Sequence, residues 1–292
     1  MDLSIIILSF NTKDITGRCL NHLKKAKDYC EKRLKNNIEV IVVDNGSEDG
    51  SPQMIKEDFP WVKLMALKEN SGFSKGNNIG MKKAKLPFIL LLNSDVYLSE
   101  ESLYKALAYF RVNLNCDVLG ARLELANGKL QASAGPLPNP LNIIFWIFGL
   151  LGFHPKSSSY FNKAHQVGWV MGAFFMLKRK VWEKVGGFDE NLFMYLEEVE
   201  WCKRIKGQGF KVWFVPTVCA VHLHGASSNF DYSLGFLNEI KGIKYYLLKH
   251  YRFYYVPTKL FLILGLRLRI IAFSVLGKTQ RARIYLEGLG VI

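Results

Sequence analysis

The sequence predicts a doubly wound α/β fold with a mostly parallel, Rossmann-like sheet, and three observations carry the prediction. Short apolar, β-branched runs at residues 3–9 (LSIIILS), 39–43 (EVIVV), 62–67 and 87–92 (PFILLL) have the length and continuity of strands buried on both faces. Between them lie segments with helical spacing, including residues 16–34, where Cys19, Leu20, Leu23 and Ala26 fall among lysines, and residues 75–85. Three of the runs are followed at once by small polar residues, where an open parallel sheet meets its ligands.

Taken in order, the run at 3–9, the helix at 16–34 and the run at 39–43 make one βαβ unit. The strand at 62–67, the helix at 75–85 and the strand at 87–92 continue the alternation. Residues 100–114 read as an amphipathic helix with Ser99 as its N-cap and acidic residues in its first turn. The apolar stretch 141–153 is too short to cross a bilayer, so it reads as a core helix or as an element facing membrane or acceptor. A strand at 211–215 is expected to end in a turn at Pro216. With no long linker and no repeat, the expected catalytic unit covers residues 1–230, followed by a helical, basic, apolar appendage over 231–292.

The chain of 292 residues carries +14, and the excess is concentrated in that appendage. Residues 241–292 hold ten basic residues and one acidic residue, a net +9. Their neighbours at 254–277 (YYVPTKLFLILGLRLRIIAFSVLG) are apolar, which suits an anionic lipid interface better than a nucleic-acid groove. Arg267 and Arg269 inside the stretch argue for a helix lying on a membrane rather than spanning one. The alternative is a pair of core helices with a solvated basic face. Five scattered cysteines without paired spacing exclude a zinc site or disulfide framework, and Leu3 opens a strand with no basic leader before it. The expected location is the cytoplasm, at the inner face of the cell membrane.

The polar clusters are Ser9-Phe10-Asn11, the segment 44–50 (DNGSEDG), and Asn93-Ser94-Asp95. An Asp such as Asp44 at a strand end accepts hydrogen bonds from a nucleobase or ribose, and Asn45 lies beside it. Asp95 suits a hard cation, Mg²⁺ or Mn²⁺, which binds through one or two carboxylates and completes its shell with phosphates and water. Residues 70–80 (NSGFSKGNNIG) place Gly72, Lys75 and Asn77 before or within a helix, where backbone N–H groups and the lysine are suited to phosphate. Glu197, Glu198 and Glu200 crowd together. Adjacent carboxylates raise one another's pKa, useful for a base that takes a proton from an alcohol, although a helix first turn is also rich in acids and Glu200 with Arg204 has ordinary i,i+4 spacing. His222, or His224 two residues on, completes a metal shell if it lies near Asp95.

With these residues assembled, the chain resembles the inverting family 2 glycosyltransferases of the GT-A fold, and most closely their rhamnosyltransferase-like branch. The resemblance rests on SIIILSFNT (4–12), VVDNGSEDGS (42–51), NSGFSKGNNIG (70–80), LLLNSD (90–95), the segment 168–204 and VHLHGASS (221–228). It implies that Asp44 binds the nucleobase, that Ser9, Phe10 and Asn11 line the nucleotide pocket, and that Asn93 and Ser94 lie near the ribose. Asp95 would take the metal with His222, and Glu198, with Glu197 beside it, would be the base. Trp169, Gly172, Glu200, Arg204 and His224 are candidates for acceptor contact or support. Asn93 stands where the family usually has the first Asp of D-x-D, so the metal leans on Asp95. The implied reaction moves a sugar, rhamnose from deoxythymidine diphosphate first among the options, from a nucleoside-diphosphate donor to a glycan acceptor, in keeping with a lipid-linked one. A non-catalytic sugar- or nucleotide-binding module of the same fold is the competing reading, and a nucleic-acid-binding protein or a dinucleotide oxidoreductase fits poorly because stacking grooves and the strand-one glycine fingerprint are missing.

Overall fold

The computed structural model describes residues 1–150, 155, 157–223 and 232–292. In chain order the elements are β1 (Leu3–Ser9), α1 (Lys13–Leu34), β2 (Ile38–Asp44), α2 (Ser51–Asp58), β3 (Lys63–Ala66), α3 (Phe73–Lys83), β4 (Phe88–Asn93), β5 (Val96–Leu98), α4 (Ser102–Val112), β6 (Val118–Glu124), β7 (Leu130–Gln131) and β8 (Ala134–Gly135). They continue with α5 (Pro140–Ile147), β9 (His165–Gln166), β10 (Trp169–Val170), β11 (Phe174–Lys178), α6 (Arg179–Val185), α7 (Glu197–Gly207), β12 (Val212–His222), α8 (Tyr232–His250), α9 (Tyr255–Val275) and α10 (Thr279–Val291).

The main sheet runs β3-β2-β1-β4-β11-β6-β12-β5, and only β11 and β5 oppose the other six strands. Alternate residues of the apolar runs serve two cores. Ile6, Ile41, Val43 and Leu91 face one, while Ile5, Ile7, Val40, Val42, Leu90 and Leu92 face the other. That double burial is why these strands read as unbroken apolar runs. Helices α1 and α4 cover the second core with Cys19, Leu20, Leu23, Leu103 and Leu107. The first core extends through Trp201 of α7 into Ile240, Ile243 and Tyr246 of α8, Leu262 and Leu266 of α9, and Ile284 and Tyr285 of α10. The helices beyond residue 231 therefore share a core with the sheet.

Three local expectations change. Ser99 is not the cap of α4, which begins at Ser102; the Ser99 and Ser102 hydroxyls lie 2.8 Å apart, and Ser102 donates to the Cys219 carbonyl at 2.6 Å. β12 does not stop at Pro216 but continues to His222, because a bulge between Val215 and Cys219 absorbs the proline without a ladder hydrogen bond. The apolar stretch from 141 forms α5 only to Ile147, closed at its start by a reciprocal Asn139–Asn142 capping box, and 151–153 lie outside the described residues.

At the other end of α5, Arg269 donates from Nε to the Ile147 carbonyl at 3.0 Å and satisfies an orphan acceptor at the helix C-terminus. One of the two arginines in the apolar tail is thus spent inside the protein. The outer face of α9 is the reverse: Val256, Leu260, Leu264, Ile271 and Val275 are exposed, flanked by exposed Arg252, Arg267, Lys278, Arg281 and Arg283. Among the described residues no helix is long and apolar enough to cross a membrane.

Candidate active site

Sheet register brings the predicted clusters to one edge. Ser9 at the end of β1 pairs with Asp44 at the end of β2, and Leu8 pairs with Asn93 at the end of β4. The strand β11 begins on the same edge, where the Asn93 N–H donates to the Ala173 carbonyl at 3.1 Å. β12 delivers its last residue, His222, opposite Val96, and the Leu223 N–H donates to the Asp95 carbonyl.

Asp44 is wholly buried. Its Oδ1 accepts the Ser47 N–H at 2.9 Å, while Oδ2 has no hydrogen-bond partner among the described residues. A buried carboxylate oxygen left without a donor costs a kcal/mol or more (~1–3) unless a ligand supplies one, so Asp44 fits a nucleobase N–H or a ribose hydroxyl. Its neighbours are fixed by one another. Asn11, in the left-handed region at φ 49°, donates its N–H to Ser47 Oγ and accepts the Glu48 N–H on its side chain, each at 2.9 Å. Phe10 is half-buried in the same turn.

Several predicted contacts prove to be supports. The Ser9 hydroxyl is enclosed with those of Thr12 and Thr16, at 3.2 and 3.0 Å, and is 0% exposed, so it cannot reach a nucleotide. Asn45 uses its whole amide to hold the 70–72 turn, accepting from the Ser71 N–H and hydroxyl and donating to Asn70 and the Gly72 carbonyl. Asn77 donates back to the Phe73 carbonyl within α3. The glycines of this motif are spent on packing: a Cβ at Gly76 would lie 2.4 Å from Leu8, at Gly80 2.4 Å from Ile6, and at Gly72 2.7 Å from the Phe193 ring. Lys75 remains exposed in the first turn of α3, free for phosphate. Ser94 is buried beside Asp95.

Asp95 Oδ1 lies 3.2 Å from His222 Nε2, with both side chains buried. The other ring nitrogen, Nδ1, is 2.8 Å from Gln131 Oε1, so Gln131 fixes the orientation of the ring against Asp95. A carboxylate oxygen and an imidazole nitrogen at that separation match adjacent ligands of one hard cation, about 3 Å apart for bonds near 2.1 Å. Among the described residues no third His, Cys, Asp or Glu joins them, which fits a cation that takes the rest of its shell from phosphate and water. Gln131, on a two-residue strand with no motif around it, is a supporting residue invisible to sequence reasoning. His224 lies outside the described residues.

The carboxylate pair opens α7. Tyr195 and Leu196, just before it, both hold positive φ, 71° and 67°. Two successive left-handed L-residues cost about 1–2 kcal/mol each, a strain that persists only where the surroundings impose it. The kink turns Glu197 and Glu198 into the protein, where an oxygen of each, Oε2, finds no hydrogen-bond partner among the described residues. Burial pushes the Glu198 carboxyl up, against the pull of its own and the Gly172 backbone N–H; burial and then the neighbouring Glu198 charge push Glu197 up as well. Gly172, two residues before β11, thus faces the Glu198 carboxylate with its backbone N–H. Glu200 and Arg204 face away: Arg204 Nε binds Glu200 at 2.9 Å and its NH1 and NH2 groups reach the Val185 and Gly187 carbonyls. Trp169 is 1% exposed in the core and cannot meet an acceptor.

Residues 4–186 match the family model described as glycosyl transferase family 2. The chain belongs to that family. Among curated relatives, the N-acetylglucosaminyl-diphospho-decaprenol L-rhamnosyltransferase of Mycobacterium tuberculosis is 25% identical over 232 residues, covering 72% of this chain and 74% of that protein. Among solved structures, the mannosyltransferase PcManGT of Pyrobaculum calidifontis, in complex with GDP-Man and Mn²⁺, superposes over 98% of this family 2 chain and 85% of its own with a TM-score of 0.61 at 14% identity. TarS of Staphylococcus aureus gives a TM-score of 0.56 at 19% identity over 94% of this chain, which spans 44% of TarS. These likenesses give the family 2 chain a GT-A glycosyltransferase fold.

Proposed function

We propose that this glycosyltransferase is an inverting, metal-dependent hexosyltransferase that moves rhamnose from a deoxythymidine diphosphate donor to a hydroxyl of a lipid-linked glycan, in cell-surface polysaccharide synthesis. The observation that carries the reading is the half-buried Glu198, its buried Oε2 unpartnered among the described residues, beside the Gly172 backbone N–H at the sheet edge that also carries Asp44 and Asp95. Asp44 holds the nucleobase or ribose, with Phe10, Asn11 and Asn93 around it and Lys75 toward the phosphates. Glu198 takes the proton of the acceptor hydroxyl as its oxygen bonds to the anomeric carbon. The bond from that carbon to the diphosphate breaks from the opposite face, the diphosphate leaves with the electron pair, and the configuration inverts. Asp95 and His222 would hold Mg²⁺ or Mn²⁺, which supplies charge neutralisation for the diphosphate when bound.

The rhamnose and lipid-linked parts of the proposal draw on the mycobacterial relative, whose name describes such a transfer. The exposed apolar face of α9 between cationic residues suits the anionic inner surface of a cell membrane, where a lipid-linked acceptor resides. The test is a donor screen with deoxythymidine-diphospho-rhamnose, UDP-N-acetylglucosamine and GDP-mannose, with and without Mn²⁺, and the product anomer read by NMR. Transfer from the rhamnose donor with inversion is the expected result. Tight donor binding without consumption of any donor, with acceptor present, overturns the enzyme reading in favour of a binding module.

A further inference from the structure

The loop that carries the carboxylate pair is held at three points by α8. In the middle, Gly242 faces the kink so closely that a Cβ there would lie 3.0 Å from both the Tyr195 carbonyl oxygen and the Leu196 side chain. About two turns earlier on the same face, a Cβ at Gly235 would lie 3.4 Å from the Tyr195 hydroxyl. Upstream of the kink, Tyr245 donates to Asp189 Oδ2 at 2.7 Å and receives a hydrogen bond from Asn191 at 3.2 Å. Downstream, Lys249 bridges Asp189 and Glu200, reaching Glu200 at 2.7 Å, and His250 lies 3.2 Å from the same carboxylate. Glu200 is 0% exposed, one helical turn past Glu197, so these bonds fix the rotation of α7 about its axis.

We propose that α8 is a positioning element of the catalytic site: Gly242, Tyr245 and Lys249 clamp residues 189–200 and hold the strained Tyr195–Leu196 kink that aims Glu197 and Glu198. This inference rests on the reading of Glu198 as the base. Neither the kink nor its energy is explained by α7 itself, which has no side-chain cap at Leu196. The clamp supplies what the helix lacks. The groups that face the kink and its carboxylates are Tyr195 itself, Glu239 from α8 and, beyond it, Arg269 from α9, with Gly172 from the sheet edge. Burial holds the Glu239 carboxyl up, to about 7, so α8 also presents a third carboxyl of raised pKa to this side of the site.

The experiment compares Gly242→Ala, Tyr245→Phe and Glu198→Gln with the wild-type full chain, measuring kcat, donor KM, the pH–rate midpoint and the melting temperature. Misplacing a reacting group by about 1 Å costs up to 100-fold, and a Cβ at Gly242 would displace the kink by a few tenths of that, so kcat is expected to fall about 3- to 10-fold in Gly242→Ala and less in Tyr245→Phe. Donor KM stays within about twofold in both, and the pH–rate midpoint moves toward the ordinary carboxylate range as the pair meets more water. A purely structural role predicts a lower melting temperature with kcat at permissive temperature and the pH midpoint unchanged, and that outcome overturns the proposal. If Gly242→Ala fails to fold, Tyr245→Phe decides alone, since it removes one hydroxyl. Near-normal turnover in Glu198→Gln defeats the base assignment instead, whatever the α8 variants do.

Discussion

Replacing Glu198 by Gln keeps the shape of the side chain and removes the proton acceptor. General-base catalysis is worth about 10²–10⁴-fold, so turnover at saturating donor should fall by that factor, about 3–5 kcal/mol in the barrier. The same change should act on stability in the opposite direction. The Glu198 carboxyl is raised from 4.5 to about 7 in the folded protein, so between those values the folded chain binds a proton that the unfolded chain has lost. Stability is therefore complete below about 4.5 and falls as pH climbs to about 7, above which the ionised carboxylate exerts its full penalty. That interval corresponds to about 3.5 kcal/mol at about 1.4 kcal/mol per pH unit, and the solvent that reaches Glu198 and the sharing of the titration with Glu197 reduce it to about 1–2 kcal/mol. At about 2–4 °C per kcal/mol, Glu198→Gln should melt about 2–8 °C above wild type at pH 8 and level with it at pH 4. Thermal melts at the two pH values and initial-rate transfer assays measure both arms. A variant that turns over near the wild-type rate, or that melts below wild type at pH 8, refutes the reasoning.

Wild-type turnover should rise with pH through about 7, because the base must be ionised, and a pH–rate profile flat from 5 to 9 would contradict that. Asp95→Asn leaves His222 without its carboxylate partner 3.2 Å away and should weaken Mn²⁺ binding at least about 10-fold, read by isothermal titration calorimetry in the presence of nucleoside diphosphate. Asp44→Asn should raise donor KM about 10-fold or more with kcat less affected, since it loses a charged acceptor whose Oδ2 is otherwise unpaired. On α9, Leu260→Glu with Ile271→Glu changes two exposed positions, 63% and 60%, and should abolish cosedimentation with vesicles of one-third phosphatidylglycerol while leaving the melting temperature within about 2 °C.

The parts of this fold legible in the sequence are those whose cause is local. β1 and β2 announce themselves because both faces are buried, and every residue of 40–43 is apolar for that reason. Asp44, Asn93 and Asp95 are legible because a polar residue at the end of such a run marks the sheet edge. What depends on a distant partner is not. Nothing near Pro216 signals that a bulge carries β12 on to His222, and Gln131 reaches that histidine across 91 positions of sequence. The +9 of the tail is visible as a sum, but only the fold separates Arg269, bound to the Ile147 carbonyl, from the exposed Arg267. The acid pair was legible and the kink that turns it inward was not, because left-handed Tyr195 and Leu196 are imposed by α8 rather than preferred by their own side chains.

The glycines of residues 70–80 have a consequence for how such chains are engineered. Gly72, Gly76 and Gly80 stand four apart, and each marks a place where α3 or its entry meets Phe193, Leu8 or Ile6 with no room for a methyl group. Gly76 and Gly80 act as a spacer gauge, setting how far the helix stands from β1, while Gly72 sets how closely its entry meets the Phe193 loop. Swapping donor specificity by grafting a nucleotide loop from another glycosyltransferase would carry its own gauge with it. A graft that keeps the ligand-facing residues but changes this four-residue rhythm would shift α3 against β1 before it altered any contact with the ligand.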